Sequence, residues 1–317
     1  MTIQKRKEIE QITDALRLRN PEAICKQIEE FLQKKINELQ RKGIVLGLSG
    51  GLDSAVAAKL CTRAVGPENV LAIHTVHKYG SLKHKKDAER IANLLGTKFK
   101  IVDLIPFLQA QKVYNKFPMN LLEWLPRGLR GWTMKASKNL IEKVTGRDLF
   151  IESRQGTGDK FVAGGSAYVN FLRRLQMAIL HYYADLENLL VVGAANRTEW
   201  LTGVFVKFGA DGVADIMPIL PLYKTQVKQL ARYLELPEDI VEKPADPDVF
   251  PGFSDKEKLF GKEETLDQIL FALEKGLTPD EIATATKVEL KEIKRIQSLI
   301  ESSRHMRESP YIPDLAL

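Results

Sequence analysis

Cysteine is scarce in this chain, and long apolar runs are missing. Among 317 residues only Cys25 and Cys61 are cysteines, too few for a disulfide framework or a cysteine-based zinc site. No apolar stretch approaches the roughly 20 residues that span a bilayer. The N-terminal sequence MTIQKRKEIEQI lacks the pattern of a secretory signal. We therefore expect a cytoplasmic protein that does not bind a membrane.

Several patterns that mark other chemistries are also missing. The chain has no GxxxxGK[ST] phosphate loop and no GxSxG nucleophile elbow. Three of its five histidines, His74, His77 and His84, are spaced by three and seven positions without a neighbouring carboxylate cluster, which does not favour a histidine-bound metal. The last helices carry mixed lysine and glutamate, so we expect no nucleic-acid-binding helix-turn-helix.

The charge of the chain is unevenly distributed. The apolar fraction of 44% and the charged fraction of 28% are ordinary for a soluble globular protein, and the net charge is only +6. Residues 106–168 contain ten lysines and arginines against five acids, so most of the excess belongs to one segment. That excess suits an anionic substrate, and it equally suits a solvated surface.

The sequence GLSGGLDSA, residues 47–55, is the most informative one present. It follows the apolar run 44–46 and precedes a predicted helix, Ala55–Val65. Glycines allow a tight turn, and the first N–H groups of a helix attract phosphate. An acid inside such a turn, Asp53, makes sense with a divalent cation between it and the phosphate. The alternative is an ordinary turn whose serine caps the helix. The predicted phosphate-binding residues are Gly47, Leu48, Ser49, Gly50, Gly51, Leu52, Asp53 and Ser54.

Short β-branched runs alternate with helical periodicity over much of the chain. The predicted helices are 21–42, Ala55–Val65, Lys83–Leu95 and Val169–Ala184, and the predicted strands are 44–46, Val70–Thr75, Phe99–Leu104 and Leu189–Gly193. This order predicts an α/β fold, a doubly wound parallel sheet flanked by helices. Ligands of such sheets bind at the carboxyl ends of the strands. We therefore expect residues 47–55, 74–81 and 193–199 to converge on one pocket.

We interpret residues 1–317 as a single domain with two additions. Residues 106–168 break the alternation and include a glycine-bearing run, 155–165, so they are expected to form a long insertion. An insertion beside a binding face is often a cover, a binding loop or an interface, and a surface subdomain is the other interpretation. Residues 262–317 are expected to be helical, with helices at Glu264–Lys275, Pro279–Ala285 and Val288–Ser302.

Two sets of motifs carry a resemblance to a known family. SGGLDS resembles the pyrophosphate loop of the ATP pyrophosphatases, which cleave ATP between its α and β phosphates. From residue 193 to 255 the patterns GxxNxxE, FxKxG, PLxKTQ and EKPx₃D follow in order. Together they are similar to ammonia-dependent NAD synthetase, over about residues 20–104 and 166–310. The resemblance implies an adenine nucleotide alpha hydrolase-like fold. It also implies adenylation of deamido-NAD by ATP, followed by amidation with ammonia.

The resemblance also implies roles for particular residues. Asp53 and Glu199 match magnesium ligands, and Lys224 matches a lysine that binds ATP phosphates. The residues that match the deamido-NAD positions are Arg174, Lys207, Asp215 and His305. Taken singly, each could be an ordinary surface residue. Mg²⁺ is the implied cofactor, ATP the co-substrate and a homodimer the implied assembly.

Some positions depart from the family pattern. Ala194 and Asp246 replace small hydroxyl residues at ATP-contacting positions, and Gln176 replaces a second arginine. These departures leave the acceptor carboxylate open. A paralogue that amidates another acid and a non-catalytic nucleotide-binding protein are the alternatives. The sequence contains no glutaminase domain, so the ammonia is either free or supplied by a separate subunit.

Overall fold

Four parallel strands form the centre of the molecule. The computed structural model describes residues 12, 14–115, 136, 140–209, 212–244, 248, 262–308 and 311–314. The strands are β1 (Gly43–Gly47), β2 (Val70–Val76), β3 (Lys98–Asp103) and β4 (Leu189–Val192), in the order β3-β2-β1-β4. Leu46 of β1 pairs with Ala72 on one side and Val192 on the other. The strands that follow β1 in the chain are therefore added first on one side of it and then on the other. In parallel sheets, ligands bind in the crevice beside the strand where the strand order reverses in this way.

Helices cover both faces of the sheet, as the sequence predicts. The main helices up to β4 are α1 (Pro21–Glu38), α2 (Leu52–Val65), α3 (Leu82–Leu95), α4 (Ile105–Ala110), α5 (Leu149–Gln155) and α6 (Lys160–Glu187). Ile44 and Leu46 pack on one face with α1, α2 and α3, whereas Val45 packs on the other with α6. Because neighbouring side chains of a strand point to opposite faces, β1 is buried on both sides and is apolar at each position.

The helices after β4 build the far side of the site. They are α7 (Arg197–Thr202), α8 (Lys224–Tyr233), α9 (Glu238–Val241), α10 (Glu263–Glu274), α11 (Pro279–Thr286), α12 (Leu290–Ser302) and α13 (Arg304–Arg307). The helices α10, α11 and α12 enclose a second apolar cluster, with Leu266, Ile282 and Ile293 at its centre. In the part of the chain that the structure describes, no helix has the length and apolarity needed to cross a bilayer.

The segment 106–168 is more regular than the sequence suggested. Helix α6 begins at Lys160 rather than at Val169, so the second half of the glycine-bearing run is helical. Two glycines lower helix propensity by only about 1 kcal/mol each, which a long packed helix can absorb. Helix α5 also lies in this segment, with Asp148 as N-cap and Gly156 in the left-handed conformation at its end. Trp124 and Trp132 lie outside the described residues.

Candidate active site

The glycine-rich loop joins β1 to α2 at the reversal of the sheet. Gly50 has a φ of +80°, and a Cβ there would lie 2.3 Å from the carbonyl oxygen of His84. The hydroxyls of Ser49 and Ser54 are 3.0 Å apart, and Ser54 Oγ donates to the Gly51 carbonyl at 3.0 Å. As a glycine, Gly51 gives α2 no side-chain cap. The start of α2 is therefore suited to binding an anion.

Asp53, in the first turn of α2, receives donors from two distant segments. Its Oδ1 accepts from Asn196 Nδ2 at 3.0 Å, and its Oδ2 accepts from Lys224 Nζ at 2.5 Å. Lys224 is buried at the start of α8. Burial alone would lower the pKa of Lys224, but the carboxylates of Asp53 and Glu199 outweigh burial and raise that pKa. The loop thus has a fixed, fully charged ammonium beside its acid.

Asn196 links the two predicted metal-binding acids. It is the N-cap of α7, and its Oδ1 accepts the backbone N–H of Glu199 at 3.0 Å while its Nδ2 donates to Asp53. Asn196 is fully buried, so both ends of the amide have protein partners. One amide therefore orients the Asp53 carboxylate and caps the helix that carries Glu199.

A buried acid, Asp267, positions Lys224, although the sequence analysis assigned it no role. The backbone N–H of Lys224 donates to Thr198 Oγ1 at 2.9 Å, and that hydroxyl donates to Asp267 Oδ1 at 2.6 Å. Thr225 donates to Asp267 Oδ2 from its backbone N–H at 2.8 Å and from its hydroxyl at 2.7 Å. Burial raises the pKa of Asp267 to about 6, against these hydrogen bonds, which lower it. A lone acid on the apolar face of α10 was the signal that could have found it.

Lys243 fixes the other side of the loop. Its Nζ donates to the Gly50 carbonyl at 2.8 Å and to Asp87 Oδ2 at 2.7 Å. Lys243 belongs to the EKPx₃D motif, whose last residue, Asp248, accepts from the backbone N–H of Ser81 at 2.8 Å. The motif therefore connects the loop with α3 and the turn before it. Asp246, one of the departures from the family pattern, lies outside the described residues.

The three segments expected to converge do line one cavity. The cavity has a volume of about 290 Å³, and its wall includes the loop, His74 near the end of β2, His77 after β2, and Gly193 and Glu199 after β4. Ala194 and Gln176 also line it. Gln176 Nε2 donates to Thr75 Oγ1 at 2.6 Å and its Oε1 accepts from Arg173 at 2.9 Å. Gln176 thus orients Arg173, which lines the cavity as well.

Comparison with known proteins agrees with this geometry. A family model described as NAD synthase matches residues 24–121 and 141–310. This chain belongs to the NAD synthase family. The NH(3)-dependent NAD(+) synthetase of Coprothermobacter proteolyticus is 35% identical over 90% of this chain and 95% of its own length. The one of Methanocaldococcus jannaschii is 34% identical over 93% and 97%.

Two solved structures have a similar fold. The NH3-dependent NAD synthetase of Campylobacter jejuni aligns with a TM-score of 0.63 and 26% identity, covering 94% of this chain and all of that one. An NMN synthetase of Francisella tularensis aligns with a TM-score of 0.66 and 25% identity, covering 93% and 99%. The match to the family model extends into the segment 106–168. Between residues 24 and 310, only residues 122–140 are not matched by the family model. The expected limits of the resemblance, 104 and 166, were therefore too narrow.

The four residues that match the deamido-NAD positions lie outside the cavity wall. Three of them meet at the surface: Arg174 Nε donates to the Lys207 carbonyl at 3.2 Å, and Lys207 Nζ donates to the His305 carbonyl at 2.5 Å. Asp215 accepts the backbone N–H of Val191 of β4 at 2.8 Å. Hydrogen bonds therefore join Arg174, Lys207 and His305 to one another, whereas the one described for Asp215 goes to the sheet.

The acids of the site fit a magnesium ion shared with a substrate. Asp53 and Glu199 line the same cavity and both act on the charge of Lys224. The described residues contain no group of three or more histidine, cysteine or acidic side chains that could hold a metal alone. Mg²⁺ is commonly bound by one or two carboxylates together with substrate phosphates. Two carboxylates beside a phosphate loop are such a donor set.

Proposed function

We propose that this chain is an ATP-dependent ligase that converts deamido-NAD to NAD. In the first step the pyridine carboxylate of deamido-NAD attacks the α-phosphorus of ATP, and pyrophosphate leaves. In the second step ammonia attacks the carbon of the acyl-adenylate, losing a proton, and AMP leaves. The observation that carries the proposal is the Lys224–Asp53 pair directly after a glycine-rich loop, on a chain of the NAD synthase family.

Each residue of the phosphate side has a role that follows from its position. The loop and the start of α2 bind the β and γ phosphates through backbone N–H groups. Lys224 faces the same phosphates and stabilises the negative charge that grows on the departing pyrophosphate. Asp53 and Glu199 would hold Mg²⁺, which when bound neutralises phosphate oxygens. Asn196 and Asp267 keep these groups in place before the substrates arrive.

The acceptor side extends from the cavity to the surface. The carboxylate of deamido-NAD must reach the α-phosphorus, so the pyridine ring lies in the cavity. We propose that the rest of the dinucleotide continues to Arg174, Lys207 and His305, whose grouping beside α6 supports this path. A homodimer and a cytoplasmic location, which the sequence implied, stay predictions.

A product assay tests the proposal directly. With ATP, Mg²⁺, ammonium and deamido-NAD, the protein should form NAD, AMP and pyrophosphate in equal amounts. Glutamine in place of ammonium should give little NAD without a separate glutaminase. Nicotinic acid mononucleotide is the informative second acceptor, because one structural neighbour is an NMN synthetase. Faster amidation of the mononucleotide, or no amide from either acid, would overturn the assignment of deamido-NAD.

A further inference from the structure

Arg154 is a cationic side chain of the cavity wall that no motif identifies. It lies near the end of α5, a helix whose N-terminus is fixed by its cap, Asp148. Asp148 accepts the backbone N–H groups of Phe150 and Ile151 at 3.1 Å, and its other oxygen accepts from Arg295 Nε of α12 at 2.8 Å. Because α5 is fixed in this way, the Arg154 side chain is held at the cavity.

Arg154 differs from the other cations of the cavity because no acceptor for it lies among the residues that the structure describes. Lys224 pairs with Asp53, and Lys243 pairs with Asp87. Arg154 Nε is buried and has no hydrogen-bond partner among the described residues. The Arg154 guanidinium lies over the ring of Phe150, with the centroid 4.5 Å away. It is a half-buried cation that has no carboxylate partner among the described residues, which is costly, so this arrangement indicates a site prepared for an anion.

The position of Arg154 separates it from the phosphate loop. Helix α7 has Asn196, which contacts Asp53, as its N-cap and Gly203 as its C-cap. A Cβ on Gly203 would lie 3.7 Å from Arg154 Cδ. Six helical residues span roughly 9 Å, so the Cδ of Arg154 lies about that far along α7 from Asn196. The triphosphate already has a lysine and a helix N-terminus, whereas the cation at the other end of α7 has no acceptor among the described residues.

We propose that Arg154 binds a phosphate of the acceptor nucleotide. The inference rests on the proposed function and adds a substrate-binding residue to it. A guanidinium presents a planar pair of N–H donors that matches two phosphate oxygens, a geometry that a lysine cannot reproduce. Burial lowers the pKa of Arg154 to about 10, so its charge persists at neutral pH. Binding the phosphate would replace the missing partner and orient the acceptor towards the loop.

The test compares Arg154→Met and Arg154→Lys with a charge-matched control, Arg232→Met. Arg232 forms an exposed ion pair with Glu242 and lies outside the cavity wall. For each protein we would measure the KM values of deamido-NAD and ATP, the calorimetric Kd of deamido-NAD without ATP, and the Tm. Arg154→Met should raise the KM and Kd of deamido-NAD roughly 10- to 100-fold, the range expected for losing charged hydrogen bonds. Its KM for ATP should stay close to that of the wild type.

Stability distinguishes a binding role from a structural one. Arg154→Met removes a half-buried cation that has no carboxylate partner among the described residues, so its Tm should be unchanged or higher, and Arg154→Lys should recover only part of the affinity. A lower Tm with unchanged KM values would make Arg154 a structural residue and overturn the inference. A raised KM for ATP alone would assign the guanidinium to ATP and also overturn it. Failure of the proposed function itself would give a different result, because the wild-type protein would then form no NAD from deamido-NAD.

Discussion

The two ends of the cavity are built in different ways. At the phosphate end, Asp53, Asn196, Glu199 and Lys224 all fall in recognisable motifs and contact one another directly. At the acceptor end, Arg154 and Arg173 come from helices without a motif, and the predicted dinucleotide residues lie outside the cavity wall. A triphosphate is recognised by backbone geometry, which constrains neighbouring residues in sequence. An acceptor is recognised by side chains from separate segments.

The largest effect is expected at the phosphate end. Asp53→Asn removes a charge from the predicted metal site and from the partner of Lys224 with little change of shape. Losing one such interaction should lower the kcat of pyrophosphate release by roughly 100- to 1000-fold. The measurement is pyrophosphate release with saturating ATP and deamido-NAD, on protein whose fold is checked by circular dichroism. Turnover at the wild-type rate would remove the assigned role of Asp53.

A smaller and more selective effect is expected from the surface group. Arg174→Met or Lys207→Met should raise the KM of deamido-NAD about 10-fold through the loss of a charged contact, with the KM of ATP unchanged. Nicotinic acid mononucleotide is the internal control, because it lacks the part of the dinucleotide assigned to this group. If the KM values of both acceptors rise equally, Arg174 and Lys207 act on the cavity itself. Their assignment to the part of the dinucleotide outside the cavity would then be wrong.

The smallest effect on catalysis is expected from Asp267→Asn, which should mainly change stability. The side-chain NH2 of an asparagine would face a group of Thr198 or Thr225 that also donates, so one hydrogen bond would be lost. This loss should lower the free energy of unfolding by about 1–3 kcal/mol at pH 7. Since the pKa of Asp267 is raised to about 6, the folded state binds the extra proton between about pH 4 and 6.

The sign of the pH dependence follows from this proton. Wild-type stability should fall as pH rises through that window, by at most about 3 kcal/mol relative to Asp267→Asn. Denaturant unfolding of both proteins at pH 4, 5, 6 and 7 measures the difference. A difference that is constant with pH, or that grows towards pH 7, would contradict the raised pKa.

Sequence reasoning reached the sheet because its signals are local. The apolar run 44–46 and the β-branched runs correspond to β1 and the other strands, and the predicted helix Lys83–Leu95 corresponds to α3. Sequence reasoning missed the first turns of α6 because Gly164 and Gly165 are typical of a helix break. The later turns of α6 are packed in the core, and the helix extends through the two glycines. Asp267 and Arg154 were missed for another reason. Their roles follow from which groups surround them in the folded protein, and those groups come from segments far away in the chain.

The attachment of the loop to β1 has a consequence for how the protein opens. β1 has hydrogen-bonded neighbours on both edges and apolar side chains packed on both faces. Local fluctuations that expose backbone amides are drawn from regions with few buried contacts, whereas central strands exchange their amide hydrogens only through opening of the whole domain. The backbone that leads into the glycine-rich loop should therefore exchange its amide hydrogens only when the whole domain opens, so the base of the loop is as durable as the fold itself.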